Sequence, residues 1–170
     1  HISVDNQLFS DQVFDFIDDT LSSIPSNSNV VLCLYYRDKE IPILRNYILS
    51  KNLNWVHGAN PYDINSLHRI HRLFSSSKTV YSQEIGSVQA YAGLCGAKVG
   101  LSRNYFLENK PSYKLIKRAE WTFLENLDYI SKYYDHLLCN NIMEAKECKE
   151  WAKKETGAYI LLSENEIRKI

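Results

Sequence analysis

The chain has no excess of either charge. Twenty Lys and Arg stand against twenty Asp and Glu, and the formal net charge is zero. A dedicated binder of nucleic acid or of an anionic membrane needs a basic excess, so the balance argues against both as whole-chain functions. Only a local patch is left, the densest being Lys114, Lys117 and Arg118, which Glu120 already dilutes. Cysteine spacing is equally uninformative for metal: Cys33, Cys95, Cys139 and Cys148 form no CxxC pair, and no histidine sits at a zinc-like offset from one. This pattern predicts free thiols in a reducing compartment and no bound metal. No apolar run approaches the ~20 residues that span a bilayer, and no signal peptide is present, so the expected location is cytoplasmic. The GxSxG elbow, the P-loop and GxGxxG are all missing, which argues against an ordinary nucleoside triphosphatase or dinucleotide enzyme. The first residue is His1 rather than Met, which suggests a piece of something longer.

What is present reads as one α/β unit. The 170 residues fit one domain, and twelve Tyr, six Phe and three Trp predict a well-filled core rim. Asp11 is placed to cap a helix with an apolar stripe of Val13, Phe14, Ile17, Leu21 and Ile24, broken at Pro25. Residues 30–36 (VVLCLYY) are continuously apolar and β-branched or aromatic, as a strand buried on both faces should be. Pro42 suits the first turn of a helix running to about Lys51, and residues 54–57 (NWVH) read as a short second strand. Asp63 or Asn65 is placed to cap the next helix, with Leu67, Ile70, Leu73 and Phe74 inward. A strand over 79–82, a turn closing on Gly86-Ser87, a helix over 88–95 and a strand over 97–101 follow.

Alternation of this kind predicts a Rossmann-like, doubly wound parallel sheet of four or more strands with helices on both faces, in the order 2-1-3-4 counting residues 30–36 as strand one. The core is expected over residues 1–110. Residues 111–170 are expected to add a helical extension: one long or broken helix over 113–138, another over 142–156 stopped by Gly157, and a last one capped at Ser163-Glu164-Asn165-Glu166.

In an open parallel sheet, ligands bind outside the carboxyl ends of the strands where strand order reverses. Here those loops are 36–39, containing Arg37, and 82–87, containing Ser82, Glu84, Gly86 and Ser87. The neighbouring loop holds His57 and Gly58. A glycine and a hydroxyl before a helix present free N–H groups and the positive end of the helix dipole, which suits a phosphate. Ser87 would donate to it, Gly86 would let it approach, and Gln89 lies one turn in. Arg37 can pair with the same anion, Glu84 with a sugar hydroxyl, and His57 with a phosphate, hydroxyl or base edge. Each also has a plainer reading: a helix cap, a surface arginine, a carboxylate pointing away and a strand-end histidine. His68 and His71 lie on one helix edge with no third metal ligand beside them in sequence.

The run Gly86-Ser87-Val88-Gln89-Ala90-Tyr91-Ala92-Gly93-Leu94-Cys95-Gly96-Ala97-Lys98-Val99 resembles the donor-side segment of GT-B-fold glycosyltransferases, closest to bacterial enzymes of capsule and lipopolysaccharide assembly. The upstream residues 67–74 (LHRIHRLF) and the downstream 151–157 (WAKKETG) and 162–164 (LSE) resemble the flanks of the same segment. The likeness covers residues 30–170. It implies the C-terminal, nucleotide-sugar-binding half of a two-domain enzyme (hexosyl- or sialyl/Kdo-type transfer) with Gly86, Ser87, Gln89 and Arg37 at the donor phosphate. His57, Gly58, Ser82 and Glu84 would lie near the nucleotide or sugar.

Bacterial sialyltransferases of similar plan hold a cytidine monophosphate donor with a His-Pro pair and a Ser-rich turn. This chain has His57-Gly58 and the single hydroxyl of Ser87, so the base stays open. The resemblance also implies a glycan acceptor, no cofactor beyond the donor, and a separate domain carrying the acceptor site and any membrane contact at the inner face of the bacterial membrane. Two rival readings are a non-enzymatic α/β interaction module presenting the aromatic-rich 113–138 segment, and a sugar-nucleotide epimerase-like domain.

Overall fold

The computed structural model describes residues 11–35, 41–60, 62–83, 86–104 and 133–158. The elements are α1 (Asp11–Ser22), β1 (Val31–Leu34), α2 (Pro42–Ser50), β2 (Asn54–His57), α3 (Ser66–Ser76), β3 (Thr79–Ser82), α4 (Ser87–Leu94), β4 (Lys98–Ser102), β5 (Leu138–Cys139) and α5 (Lys149–Glu155). Single 3-10 turns, Asp135–Leu137 and Ile142–Glu144, flank β5.

Local chemistry accounts for the helix ends. α2 starts on Pro42, whose missing N–H costs nothing in a first turn. It stops where Asn52 takes a left-handed φ of 52°. The Leu53 N–H then bonds back to Ile48 O at 3.1 Å, a Schellman-type closure. α4 ends the same way on Gly96, at φ 92°, with the Ala97 N–H on Ala92 O at 3.1 Å. At the head of α3, Asp63 rather than Asn65 makes the turn: its Oδ1 accepts the Asn65 N–H at 2.9 Å.

The strands pair in parallel. β1 runs beside β2, from Val31 opposite Asn54 to Leu34 opposite His57. β3 runs beside β4, from Thr79 opposite Lys98 to Ser82 opposite Leu101. β5 adds to the far edge of β4, with Leu101 opposite Leu138 and Ser102 opposite Cys139. The architecture is therefore α/β with two small parallel sheets, of two and three strands. Among the described residues β1 and β3, expected to be neighbours, exchange no ladder bonds.

Two apolar clusters make the core. In one, Val13, Phe16 and Ile17 of α1 meet Leu34 of β1 and Leu44 and Ile48 of α2, with Tyr81 of β3 packed against them. In the other, Phe74 of α3 and Ala92 of α4 meet Val99 and Leu101 of β4, Leu137, Leu138 and Cys148, with Val80 of β3 packed against them. Successive strand residues point to opposite faces, so adjacent Val80 and Tyr81 carry β3 into both clusters. β3 is covered on both sides, α1 and α2 lie on one side of it, and α3 and α4 on the other. The Phe16 and Tyr81 rings stack at 5.4 Å across this junction.

The C-terminal region departs from expectation where the structure describes it. The helix expected over 113–138 falls mostly outside the described residues. Its end is a helical residue pair, 133–134, then a 3-10 turn, and Leu138 enters β5. Pairing with β4 decides this, because it buries Leu137, Leu138 and Cys139 together. The helix expected over 142–156 is reduced to Lys149–Glu155. β5 is only two residues long and leaves the edge of Val99 open. Lys146 fills it from the opposite direction, bonding Val99 through both its backbone groups at 2.8 and 3.1 Å. The expected cap at Ser163 lies outside the described residues.

Candidate functional site

The structure gathers the sequence candidates into two hydrogen-bond networks, each at the carboxyl end of a strand. Arg37 and Glu84 lie outside the described residues.

The first network holds the turn between β3 and α4. Gln89, fully buried in the first turn of α4, is its hub. Its Oε1 accepts the Gly86 N–H at 2.8 Å, and its Nε2 donates to Ser82 Oγ at 2.5 Å. This is the reach-back half of a capping box, with glutamine at the third helical position and glycine as the cap. Ser82 is buried as well, and its hydroxyl is occupied by Gln89. Gln89 and Ser82, expected to meet ligand, are thus committed to holding the turn, and the Gly86 N–H is already bonded. What the turn presents outward is Ser87, exposed at the first helical position, with its hydroxyl. The N–H groups of the first turn have no acceptor within the helix.

Gly86 has φ −173° and ψ −178°, an extended conformation open to any residue. A Cβ built on it would meet nothing within 4 Å. Its place is therefore not imposed by the fold, and Gly86→Ala is expected to leave stability within about 0.5 kcal/mol of the parent, read from chemical denaturation midpoints.

The floor beside this turn is polar. Ser82, Gln83, Gln89 and Ser102, at or near the ends of β3 and β4, are all buried. Tyr81 reaches Ser102 through its hydroxyl, and burial pushes its ionisation up to about 12, so it stays neutral. Gln83 and Ser102 are not among the sequence candidates. Their signal is positional: each immediately follows, or is, the last residue of a strand.

The second network holds the loop after β2. The Gly58 N–H donates to Leu34 O at 2.6 Å, and a Cβ on Gly58 would lie 3.0 Å from that same oxygen. Gly58 is thus favoured by the close approach of β1, since a larger residue would have to push that backbone oxygen away. Arg69 of α3 donates to His57 O at 3.3 Å and Gly58 O at 3.4 Å, and pairs with Asp63 at 2.6 Å. That guanidinium, with the Asn65 N–H, holds the Asp63 carboxyl below its usual range. The His57 ring stands edge-on to Trp55 at 5.0 Å, and its Nδ1 is buried. Arg69 cannot be picked out in the sequence because two of its three acceptors are backbone carbonyls, which carry no residue code.

The thiols are free, and burial raises the ionisation of Cys33, Cys148 and Cys139, the last to about 11, so these three are poor nucleophiles. Among the described residues, no three His, Cys, Asp or Glu side chains gather as metal ligands, and His68 and His71 are exposed on α3. Among the same residues, no helix is long and apolar enough to cross a membrane. Comparison with protein-family models, with curated proteins and with solved structures finds no match to this chain.

Proposed function

We propose that the chain is a nucleotide-sugar-binding domain of a bacterial glycosyltransferase acting in surface polysaccharide assembly, with the donor phosphate seated at the head of α4. The observation that carries this reading is the Ser82–Gln89–Gly86 chain of hydrogen bonds. It locks a strand–turn–helix unit so that Ser87 and the first N–H groups of α4 are held outward at a strand's carboxyl end. The resemblance of residues 86–99 to the donor-side segment of GT-B enzymes supports the same place. For the fold, the reading takes one doubly wound sheet of order 2-1-3-4 with β5 beyond. The ladders β1–β2 and β3–β4 are consecutive parts of that order. The coverage of β3 on both faces suits an interior strand, and α2 opposite α3 and α4 suits right-handed crossovers leading outward from the middle of the sheet.

Sugar transfer asks no covalent chemistry of this half. It asks for fixed dipoles aimed at the charge that grows on the leaving phosphate, which a rigid helix terminus supplies without reorganising. Ser87 and the α4 amides would take that charge. Arg37 would add to it, His57 and Glu84 would face the nucleoside or sugar, and the acceptor would come from a second domain.

A thermal-shift screen of cytidine, uridine, guanosine and adenosine mono- and diphosphates tests this. One base class is expected to raise the melting temperature by about 5 °C or more at ~100 times its Kd. Ser87→Ala, at an exposed position, should keep the melting temperature of the free protein and lose about five- to tenfold in affinity, the worth of one hydrogen bond. If no base class shifts the transition, the proposal fails.

A further inference from the structure

The entrance to α3 is strongly apolar on its outside. Tyr62, Ile64 and Leu67 are 84%, 93% and 69% exposed. One exposed leucine needs no explanation, but three large apolar side chains standing clear of the surface within six residues do. Ile64 and Leu67 lead into the outward stripe of α3, which continues as His68, His71, Arg72 and Ser75 at helical spacing, with exposed Lys78 just past the helix end. The single carboxylate in residues 62–83, Asp63, is bound by Arg69 at 2.6 Å. This face therefore shows an apolar tip backed by cations. On the other side of β3, α1 turns Asp15 and Asp19 outward. The cations Arg72 and Lys78 are exposed on the α3 face with no exposed carboxylate beside them in residues 62–83.

We propose that this face docks the domain onto an anionic membrane surface, with Ile64, Leu67 and Tyr62 entering the headgroup region and Arg72 and Lys78 on the lipid charge. A protein partner would need a shaped hole for each projecting side chain, whereas a bilayer interface accepts them without one. Binding at such a surface grows with the apolar area inserted and with the charge opposed to the lipid. The balance of charge over the whole chain speaks against a membrane binder, and the local pairing of exposed cations with exposed apolar side chains is what makes this face suitable. This inference does not rest on the donor site.

Flotation of the whole chain with vesicles of phosphatidylglycerol and phosphatidylcholine, against phosphatidylcholine alone, decides it. Binding to the anionic vesicles is expected to be about tenfold stronger at low salt and to fade at high salt. The double substitution Ile64→Ser, Leu67→Ser should reduce it about tenfold or more. Arg72→Ser with Lys78→Ser should remove the preference for anionic lipid. All four positions are exposed, so unchanged melting temperatures and an unchanged nucleotide response will show that the fold and the donor site are intact. Absence of binding to anionic vesicles, or full binding by the Ile64/Leu67 variant, overturns the proposal. So does concentration-dependent self-association without lipid that the same variant abolishes, if vesicles are not bound.

Discussion

Gly93→Val is expected to cost this fold about 3 kcal/mol or more and to lower its melting temperature by roughly 6–12 °C. Gly93 lies in α4 where that helix meets α5. A Cβ there would come within 2.7 Å of Cys148 Sγ, 3.0 Å of Ala152 Cβ and 3.7 Å of Cys148 O. Cys148 is itself buried and the Ala152 methyl is fixed to its backbone, so α5 itself must give way. Ala92 and Ala152, both completely buried, show that small residues line the contact and the backbones approach closely. Alanine at 93 should be milder, at about 1–2 kcal/mol, because the overpacking is partly offset by the ~1 kcal/mol gained on taking glycine out of a helix interior. Cys148→Ala in the same chain should restore part of that loss by removing the sulfur, with a coupling of at least about 0.5 kcal/mol in a double-mutant cycle read from denaturant midpoints. A valine variant that melts with the parent would remove α5 from its place on α4, and with it the account of why residues 145–157 fold as they do.

How much of the fold is legible in the sequence divides along physical lines. β1, β3 and β4 stand where short apolar runs end in polar turns, β2 where residues 54–57 stop at Gly58, and α2 starts on its proline. These are local signals, and local chemistry settles them. The stripe of α1 is legible for the same reason, although it takes in Phe16, one of its most buried residues, where the spacing favours Ile24. In α3, Ile70, Leu73 and Phe74 pack inward as expected, but Leu67, expected with them, is 69% exposed because the first turn of α3 projects past the core. Residues 142–156 mislead because a 3-10 turn followed by a helix spaces its apolar residues much as one helix does. What breaks the helix is Lys146 bonding to Val99, a partner 47 positions away. β5 is two residues long and has no period to detect; only its neighbour β4 makes it a strand.

The site divides in the same way. The Gly86-Ser87 turn ahead of a helix can be read directly. The role of Gln89 cannot, because a glutamine one turn into a helix is equally able to reach outward to a ligand or back to its own cap. The choice is made by Ser82, which the parallel pairing of β3 and β4 sets beneath it. Gly58 stands where the sequence expects a ligand to approach, yet what approaches it is Leu34 O, a backbone atom of the neighbouring strand.

Gln89→Leu is the second substitution expected to act strongly, and it separates the architecture of the turn from its chemistry. Leucine nearly matches the volume, so the cost is polar. The Gly86 N–H loses its acceptor at 2.8 Å and Ser82 Oγ loses its donor at 2.5 Å, one of them in the fully buried floor. Two unmade bonds of this kind cost about 2–4 kcal/mol. Ser82→Ala alone strands only the Gln89 amide and should cost about 1–2 kcal/mol. In the double variant the two losses should fall short of additive, since the Ser82–Gln89 bond is removed once and not twice.

Nucleotide affinity gives the sharper contrast. Ser87→Ala removes a contact and should weaken binding without changing stability. Gln89→Leu removes the brace that holds the helix head and should weaken both together. If Gln89→Leu loses stability while binding nucleotide as the parent does, the anion does not sit at the head of α4, because no phosphate held by those amides would be indifferent to the loss of the bonds that aim them.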